Sequence, residues 1–238
     1  MSLRSDPAPV ADDEGVAAST FRLSEAQKAF FEAFGFLLLP GVFADDIEEL
    51  TAAFEDVFGR HPAFESHEDL HFNDRRMIIA GFAHQHPRLE ALYDDPRVVD
   101  IVSTLISPDY VACESDASLF YCDTSWHADT FGSPLDVYHV KLSFYLDPLV
   151  ASTGAIRMIP GTHKYDSPYA ALLRDKLSDH AAIERFFGVP PQGIPAWALE
   201  TRPGDLVVWN MAIIHASFGG DERRRLFSLN FKEPDSTA

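Results

Sequence analysis

Two short segments of the chain carry residue types that can hold a metal ion. His127 and Asp129 stand two residues apart in the segment WHAD, and His215 lies far downstream in the segment IHAS. Side chains two residues apart in an extended strand point to the same face, so His127 and Asp129 can reach one ion. Two imidazoles and one carboxylate cover one face of an octahedral iron(II) ion and leave three adjacent positions open. The spacing therefore predicts a non-haem iron(II) site.

Three consecutive arginines at 223–225 follow the second histidine closely. An arginine guanidinium is planar and binds a carboxylate through two parallel hydrogen bonds. A cation near an iron(II) site of this type suits a dicarboxylate 2-oxo acid, which can bind the metal at one end and the arginine at the other. An H-x-D tripeptide or a single histidine is unspecific, and the prediction rests on the combination.

Five segments that occur in the same order characterise a known enzyme family, and residues from about Leu23 to Phe231 resemble it. It is the phytanoyl-CoA dioxygenase family of Fe(II)/2-oxoglutarate oxygenases. The matching segments are LSEAQKAFFEAFGFLLLPGVF at 23–43, WHAD at 126–129, TGAIRMIPGTHK at 153–164, RPGDLVVWN at 202–210, and HAS with RRRLFSLNF within 215–231. They cover most of the chain, and their order argues against coincidence.

The resemblance implies an enzyme that uses Fe(II), 2-oxoglutarate and O2, with ascorbate as an optional reductant. It implies hydroxylation of an unactivated C–H bond of a small or medium-sized metabolite, with succinate and CO2 as co-products. Desaturation or cyclisation by the same cofactors stays open, as does a non-redox, metal-binding protein of the cupin type. Asp129 favours hydroxylation, because related halogenases carry a small residue in its place.

The family's motifs also suggest roles for single residues. His127, Asp129 and His215 match its iron ligands. Arg224 matches the arginine that holds the C5 carboxylate of 2-oxoglutarate, and Arg225 stays open as the alternative.

Three further residues match positions near the co-substrate. Ser217 matches the serine of an H-x-S pattern, whose hydroxyl supplements the arginine. Lys141 and Ser143 lie on a strand that often carries co-substrate contacts, although a tryptophan common near there is absent.

Candidate substrate contacts are scattered along the chain and carry a weaker signal. Phe131 stands two residues after Asp129, and Trp197 lies in a long insertion. The pair Arg75 and Arg76 can bind an acidic substrate group or remain solvated on the surface. The other candidates, all from the N-terminal half, are Phe72, Met77, Phe82 and His84.

Composition favours one globular enzyme domain that acts on a small molecule. The chain has 238 residues, of which 46% are hydrophobic, and a formal net charge of −18. Such a charge repels nucleic acid and anionic membranes. The sequence has no apolar run of the roughly 20 residues that a membrane span requires, and its first residues lack the apolar core of a signal peptide. We therefore expect a cytoplasmic monomer or homodimer.

Patterning predicts a helical N-terminal part, at about 21–108, that follows a disordered acidic tail at 1–20. Ser24 and Gln27 form a capping-box signature for a helix that ends at Gly35. The segment FGFLLLPGVF then predicts a strand, and apolar residues from Ile47 to Phe58 predict a second helix. Residues 86–106 predict a further helical stretch.

From about residue 109 to 232, short alternating runs separated by Gly, Pro and Asp predict a mainly β jelly roll. The family resemblance implies its double-stranded β-helix form, which is cupin-like, within a single domain at 21–238. The pattern of short strands is interrupted at about 163–203, where a helical segment and a Pro/Gly-rich segment predict a lid-like insertion. A surface excursion without a role in substrate binding stays open for this insertion.

Overall fold

The computed structural model describes residues 21–61, 76–130, 135–177, 179–220 and 223–235. The predicted disordered tail therefore lies outside the described residues. The same holds for three of the candidate substrate contacts, Phe72, Arg75 and Phe131.

The first helix, α1 (Glu25–Phe34), begins and ends where the sequence predicts. The Gln27 backbone N–H donates to Ser24 Oγ, and the Ser24 N–H donates to Gln27 Oε1, which completes the capping box. The helix ends at Gly35, whose φ of 88° is a left-handed conformation that glycine adopts without steric cost. Strand β1 (Phe36–Leu39) and helix α2 (Ile47–Gly59) follow, and these predictions are confirmed.

The helical stretch predicted at 86–106 is divided into three pieces. They are α3 (Pro87–Glu90), a 3-10 turn (Ala91–Asp94) and α4 (Pro96–Leu105). The break occurs because Asp95 is extended and its side chain accepts a hydrogen bond from the backbone N–H of Arg97. Asp95 is thus the N-cap of a new helix whose first residue is proline, a position that tolerates the missing N–H.

Ten strands within the described residues form two antiparallel sheets. The large sheet has the order β1-β8-β5-β10-β3-β2, and the small sheet has the order β4-β9-β6-β7. The remaining strands are β2 (Arg76–Ala80), β3 (Val111–Phe120), β4 (Thr124–His127), β5 (His139–Tyr145), β6 (Ile156–Met158), β7 (Trp197–Ala198), β8 (Leu206–Asn210), β9 (His215–Ser217) and β10 (Arg224–Lys232). The mainly β jelly roll is confirmed.

Two apolar clusters show how the sheets and N-terminal helices pack. One contains Phe36, Tyr145 and Trp209 from the large sheet together with Ile156 and Met158 from the small sheet, so the sheets face each other across it. The other joins helices α2 and α4 to the opposite face of the large sheet. The large sheet is therefore buried on both faces, and its inner face is the one that can meet a ligand between the sheets.

The insertion contains two helices, α5 (Pro168–Lys176) and α6 (His180–Phe187). Leu173 of α5 and Ile183 of α6 pack with Trp126, Ala216 and Phe218 of the small sheet and the loop after it. These neighbours alternate with His127, His215 and Ser217, so the helices cover the back of the small sheet. The lid role predicted for the insertion stays a prediction. None of the helices in the described ranges is long and apolar enough to cross a bilayer.

Candidate active site

The three predicted metal ligands come together at one end of the small sheet. His127 is the last residue of β4 and pairs in register with His215, the first residue of β9. Asp129 was expected in the same strand as His127, but the strand ends first and Asp129 lies in a turn. The reason is that the Asp129 backbone N–H donates to the carbonyl oxygen of Met211, at 3.0 Å, in the connection between β8 and β9. The turn still presents the Asp129 carboxylate to both imidazoles.

The donor atoms of these residues suit a divalent metal ion. Asp129 Oδ1 is 3.4 Å from His127 Nε2 and 3.7 Å from His215 Nε2, and one donor atom from each residue lies within 4.8 Å of the others. His127 Nδ1 is 2.7 Å from the carbonyl oxygen of Ser125, and His215 Nδ1 is 3.1 Å from that of Ile213. Because a carbonyl oxygen only accepts, each Nδ1 carries the proton and each Nε2 lone pair is free to bind metal.

The electrostatics of the site keep the ligands in their metal-binding protonation states. Burial, followed by the proximity of His127, lowers the pKa of His215 to about 3, so its imidazole is neutral at pH 7. Burial by itself would raise the pKa of Asp129. The Lys141 ammonium and the two imidazoles more than offset this, and the pKa of Asp129 lies well below its usual value. A neutral imidazole and an ionised carboxylate are the forms that coordinate iron(II).

Lys141 contacts the metal-site carboxylate, a contact that sequence reasoning missed. Its Nζ donates to Asp129 Oδ2 at 3.1 Å, lies 3.1 Å from Asp116 Oδ1, and is 5.4 Å from the centre of the Trp209 ring. Burial opposes the charge of Lys141, but Asp129 and Asp116 raise its pKa above the usual value. Its predicted contact with 2-oxoglutarate stays a prediction. Asp116 carried little signal in the sequence, since β3 also contains Glu114, Ser115 and Ser118.

Ser143, two residues along β5, lies on the same inner face. Its Oγ accepts a hydrogen bond from Trp209 Nε1 at 3.0 Å and shares a second one with Ser228 Oγ at 2.9 Å. The Trp209 ring also packs edge-on against His215, with 4.5 Å between the ring centres. Trp209 of β8 thus places a tryptophan beside Ser143 and the metal-cluster residue His215. Its contact with Ser143 also reduces the capacity of Ser143 to bind a co-substrate.

Arg224 is buried on the inner face, with 4% of its surface exposed. Nη1 donates to Ser217 Oγ at 3.0 Å and to the Gly154 carbonyl oxygen at 2.9 Å, and Nη2 donates to the carbonyl oxygen of Cys122. Within the part of the chain that the structure describes, these acceptors are all uncharged and Nε has no partner. Burial lowers the pKa of Arg224, and the raising effects of its neighbours, Asp123 among them, do not offset the desolvation. Such an arginine is prepared to bind an anion.

A glycine makes room for this guanidinium. A Cβ atom on Gly154, whose φ is 93°, would lie 2.6 Å from Arg224 Nη1. Gly154 belongs to the segment TGAIRMIPGTHK, so this segment contributes space and a carbonyl acceptor to the surroundings of Arg224.

Arg225 points to the other side of β10, as strand alternation predicts. It forms hydrogen bonds with both carboxylate oxygens of Asp147 and a 2.6 Å contact with Glu55, which also pairs with Arg223. The carboxylates therefore already pair with Arg223 and Arg225, while Arg224 lacks an anionic partner among the described residues.

Two candidate substrate residues lie on the inner faces of the sheets. Across the small sheet, pairing aligns His127, His215, Met158 and Trp197 in one row, and Trp197 at its end is 65% exposed. Across the large sheet, pairing aligns Arg76 with Phe120 and Arg224. The row in the small sheet runs from the metal ligands to the edge strand β7, and the row in the large sheet runs from Arg224 to the edge strand β2.

Three other candidates are not brought to the site. Met77 lies on the opposite strand face from Arg76 and packs against the cluster between the large sheet and the helices. Phe82 is fully buried in that cluster, where it contacts the aromatic rings of α2. His84 stacks on Tyr93 and lies 3.1 Å from Glu90. Their aromatic or apolar character reflects packing, which sequence alone does not distinguish from ligand binding.

A family model described as "Phytanoyl-CoA dioxygenase (PhyH)" matches residues 31–226 of this chain. The chain belongs to the phytanoyl-CoA dioxygenase family. The resemblance inferred from the ordered motifs is thereby confirmed, and with it membership of the Fe(II)/2-oxoglutarate-dependent oxygenases. No curated protein matches the chain.

Solved structures of such oxygenases share the fold at low sequence identity. SnoK, a non-heme alpha-ketoglutarate-dependent carbocyclase from nogalamycin biosynthesis, is 20% identical with a TM-score of 0.69, covering 90% of this chain and 85% of SnoK. The epimerase SnoN from the same pathway is 17% identical with a TM-score of 0.69, covering 88% and 80%. HygX from Streptomyces hygroscopicus, crystallised with nickel and 2-oxoglutarate, is 18% identical with a TM-score of 0.69, covering 89% and 88%.

Proposed function

We propose that this protein is an Fe(II)/2-oxoglutarate-dependent dioxygenase that hydroxylates an unactivated C–H bond of a small or medium-sized metabolite. Succinate and CO2 are the co-products. The observation that carries the proposal is the arrangement on β9, where His215 belongs to the metal cluster and Ser217 accepts a hydrogen bond from the buried Arg224, which forms no ion pair within the described residues. A metal site and a carboxylate site thus lie at the two ends of one short strand.

The strand spacing suits 2-oxoglutarate. Residues two apart in a strand are separated by about 7 Å, a span that a five-carbon dicarboxylate can bridge. His127, Asp129 and His215 would hold the iron, while Arg224 and Ser217 would hold the C5 carboxylate. When bound, iron(II) and 2-oxoglutarate would together supply the electrons that activate O2 for oxidation of a C–H bond. The protein contributes position, charge and the exclusion of water.

Bulky residues on the inner faces of the two sheets limit the access of water to the space between the metal ligands and Arg224. Trp209 and Tyr145 are nearly fully buried between the sheets, beside Lys141 and Arg224. An apolar lining strengthens the pairing of Arg224 with a carboxylate, because less water competes for it.

Asp129 supports hydroxylation rather than halogenation. Its carboxylate occupies the position that related halogenases leave to a small residue, so no coordination place is free for a halide. The names of SnoK and SnoN describe a carbocyclase and an epimerase, and both reactions can begin with the same hydrogen abstraction. Product analysis therefore has to test for cyclisation, desaturation and epimerisation besides hydroxylation.

The substrate is proposed to approach from the His127 side of the metal site. The His127 side chain is 40% exposed, whereas that of His215 is 7% exposed. Arg76 and Trp197 lie at sheet edges on the inner faces and are proposed to contact the substrate. The net charge of −18 disfavours a polyphosphate-bearing thioester, so we favour an amino-acid, terpenoid or other natural-product scaffold.

The proposal is tested by co-substrate turnover. Purified protein is incubated with Fe(II), 2-oxoglutarate, ascorbate and O2, alone and with members of a metabolite library, and succinate is quantified. We expect slow succinate formation without substrate and faster formation with the correct one, coupled to a product heavier by one oxygen atom. Zn(II) in place of Fe(II) is the matched control. Absence of iron-dependent succinate formation across the library, from protein that binds Fe(II), would contradict the proposal.

A further inference from the structure

We propose that Lys141, held by Asp116, makes Asp129 bind the metal through Oδ1 alone and so keeps the other coordination positions open. This inference rests on the proposed function and assigns Lys141 and Asp116 as positioning residues. It differs from the sequence-based expectation, in which Lys141 contacts 2-oxoglutarate.

The two carboxylate oxygens of Asp129 have different surroundings. Oδ1 is the oxygen near both imidazole Nε2 atoms, at 3.4 and 3.7 Å, whereas Oδ2 accepts the hydrogen bond from Lys141 Nζ at 3.1 Å. A carboxylate that binds a metal through both oxygens needs both of them free on the metal side. Because the Lys141 ammonium occupies Oδ2, the geometry leaves one oxygen for the metal.

The position of the ammonium is itself fixed. Asp116 Oδ1 lies 3.1 Å from Lys141 Nζ and accepts a second hydrogen bond, of 3.3 Å, from Asn230 Nδ2. Asn230 in turn donates to the carbonyl oxygen of Glu114 at 2.6 Å. The Trp209 ring closes another side of the ammonium, with its centre 5.4 Å away. A lysine side chain normally has high rotational freedom, and these contacts on three strands remove it.

The charges of the site are also consistent with this role. Lys141 and Arg224 carry two positive charges, and Asp116 and Asp129 carry two negative charges. Fe(II) and the 2-oxoglutarate dianion add equal and opposite charges, so the loaded site is neutral. Asp116 therefore lets the chain place an ammonium at Oδ2 without leaving an excess positive charge in a buried site.

The coordination number of the metal ion shows why Asp129 should bind through only one oxygen. An octahedral ion bound by two imidazoles and one carboxylate oxygen keeps three positions, two for a chelating 2-oxo acid and one for O2. A second oxygen from Asp129 would occupy one of the three. Lys141 thus preserves the position on which co-substrate or O2 binding depends.

The test compares wild-type protein with the double variant Lys141→Met/Asp116→Asn, each loaded with Mn(II) alone and crystallised. The double variant removes one charge of each sign, so the net charge of the site is unchanged, and the bound Mn(II) balances the Asp129 carboxylate that Lys141 pairs with in the wild type. We expect Oδ1-only coordination in the wild type and bidentate or displaced coordination in the variant. A variant that still binds through Oδ1 alone overturns the proposal, and so does a wild type that binds through both oxygens.

A solution measurement accompanies the structures. The affinity of Mn(II)-loaded protein for 2-oxoglutarate is measured by anaerobic calorimetry, and we expect at least a tenfold loss in the double variant. An affinity within twofold of the wild type overturns the proposal.

The matched control is Arg225→Met/Asp147→Asn, which removes a similar ion pair on the outward side of β10. It should change neither coordination nor affinity. If the wild type does not bind 2-oxoglutarate at all, the proposed function fails, while the Mn(II) structures still report the role of Lys141.

Discussion

Replacing Arg224 by methionine should sharply raise the 2-oxoglutarate requirement. Methionine preserves much of the side-chain stem in this buried position but removes the guanidinium. A carboxylate that loses a buried, charge-assisted partner loses on the order of 2 to 5 kcal/mol of binding free energy. Since about 1.4 kcal/mol corresponds to a factor of ten, the dissociation constant should rise roughly thirtyfold or more.

The same change at Arg225 is the matched control. Arg225 is adjacent in sequence and carries the same charge, but it points outward and pairs with Asp147 and Glu55. Loss of these hydrogen bonds should lower the free energy of unfolding by about 1 to 3 kcal/mol. The 2-oxoglutarate dissociation constant should change by about twofold or less, because exposed or outward charges contribute little at a distance.

The assay is a titration of 2-oxoglutarate into anaerobic, Mn(II)-loaded protein, with the apparent KM for uncoupled succinate formation as a second readout. Thermal unfolding of each variant separates a binding effect from a folding effect. If Arg224→Met does not fold, Arg224→Gln gives the same comparison with hydrogen-bond donors but no charge. A large effect confined to Arg225 would refute the assignment of Arg224 and the strand alignment behind it.

Four further outcomes are expected. Alanine at any one of the three predicted iron ligands should abolish Fe(II) binding, as measured by calorimetry, while circular dichroism stays native. Asp129→Gly should open a coordination position for chloride yet give mostly inactive protein, since the substrate is not placed for halogen transfer. Chlorination of a substrate by the native enzyme, detected by mass spectrometry, would contradict the hydroxylase proposal. Gly154→Ala should weaken 2-oxoglutarate binding because its Cβ meets Arg224, whereas Gly81→Ala, with φ of 63° and no atom within 4 Å of a Cβ, should cost stability alone. The free energy of unfolding of metal-free protein should fall by roughly 1 kcal/mol per pH unit between about pH 6.5 and 3. In this range His215 takes up a proton only in the unfolded state. The variant His215→Gln should flatten this pH dependence in thermal melts.

Local signals in the sequence predicted much of the fold. The capping box at Ser24, the glycine at position 35 and the amphipathic spacing of α2 act within a few residues, so their structural outcome follows from neighbours in sequence. Alternation along β10 predicted that Arg224 and Arg225 point to opposite faces, while the choice of Arg224 as the inward residue came from the family resemblance. The break before α4 shows where such local rules fail. Asp95 and Pro96 are typical of a helix start, but they lie inside a continuous pattern of apolar residues that predicted one helical stretch.

Other features depend on partners that are remote in sequence. Strand β2 was not predicted, because its five residues lack alternation and it forms as an edge strand through pairing with β3. Asp129 left the strand of His127 because of Met211, which is 82 residues away. The contacts of Lys141 with Asp116 and Asp129 join three separate segments. The spacing of residue types cannot show which of several acids a lysine will meet.

In the proposed active site, the residues near the metal and Arg224 and the candidate substrate contacts lie on different kinds of strand. His215 of the metal cluster and Ser217, which accepts a hydrogen bond from Arg224, stand two residues apart on β9, an interior strand of the small sheet, so the strand itself sets the distance between them. The candidate substrate contacts Arg76 and Trp197 lie on β2 and β7, which are the edge strands of their sheets. Side chains at an edge can change without altering the central register. This division directs the search for substrate-binding residues to the edge strands β2 and β7.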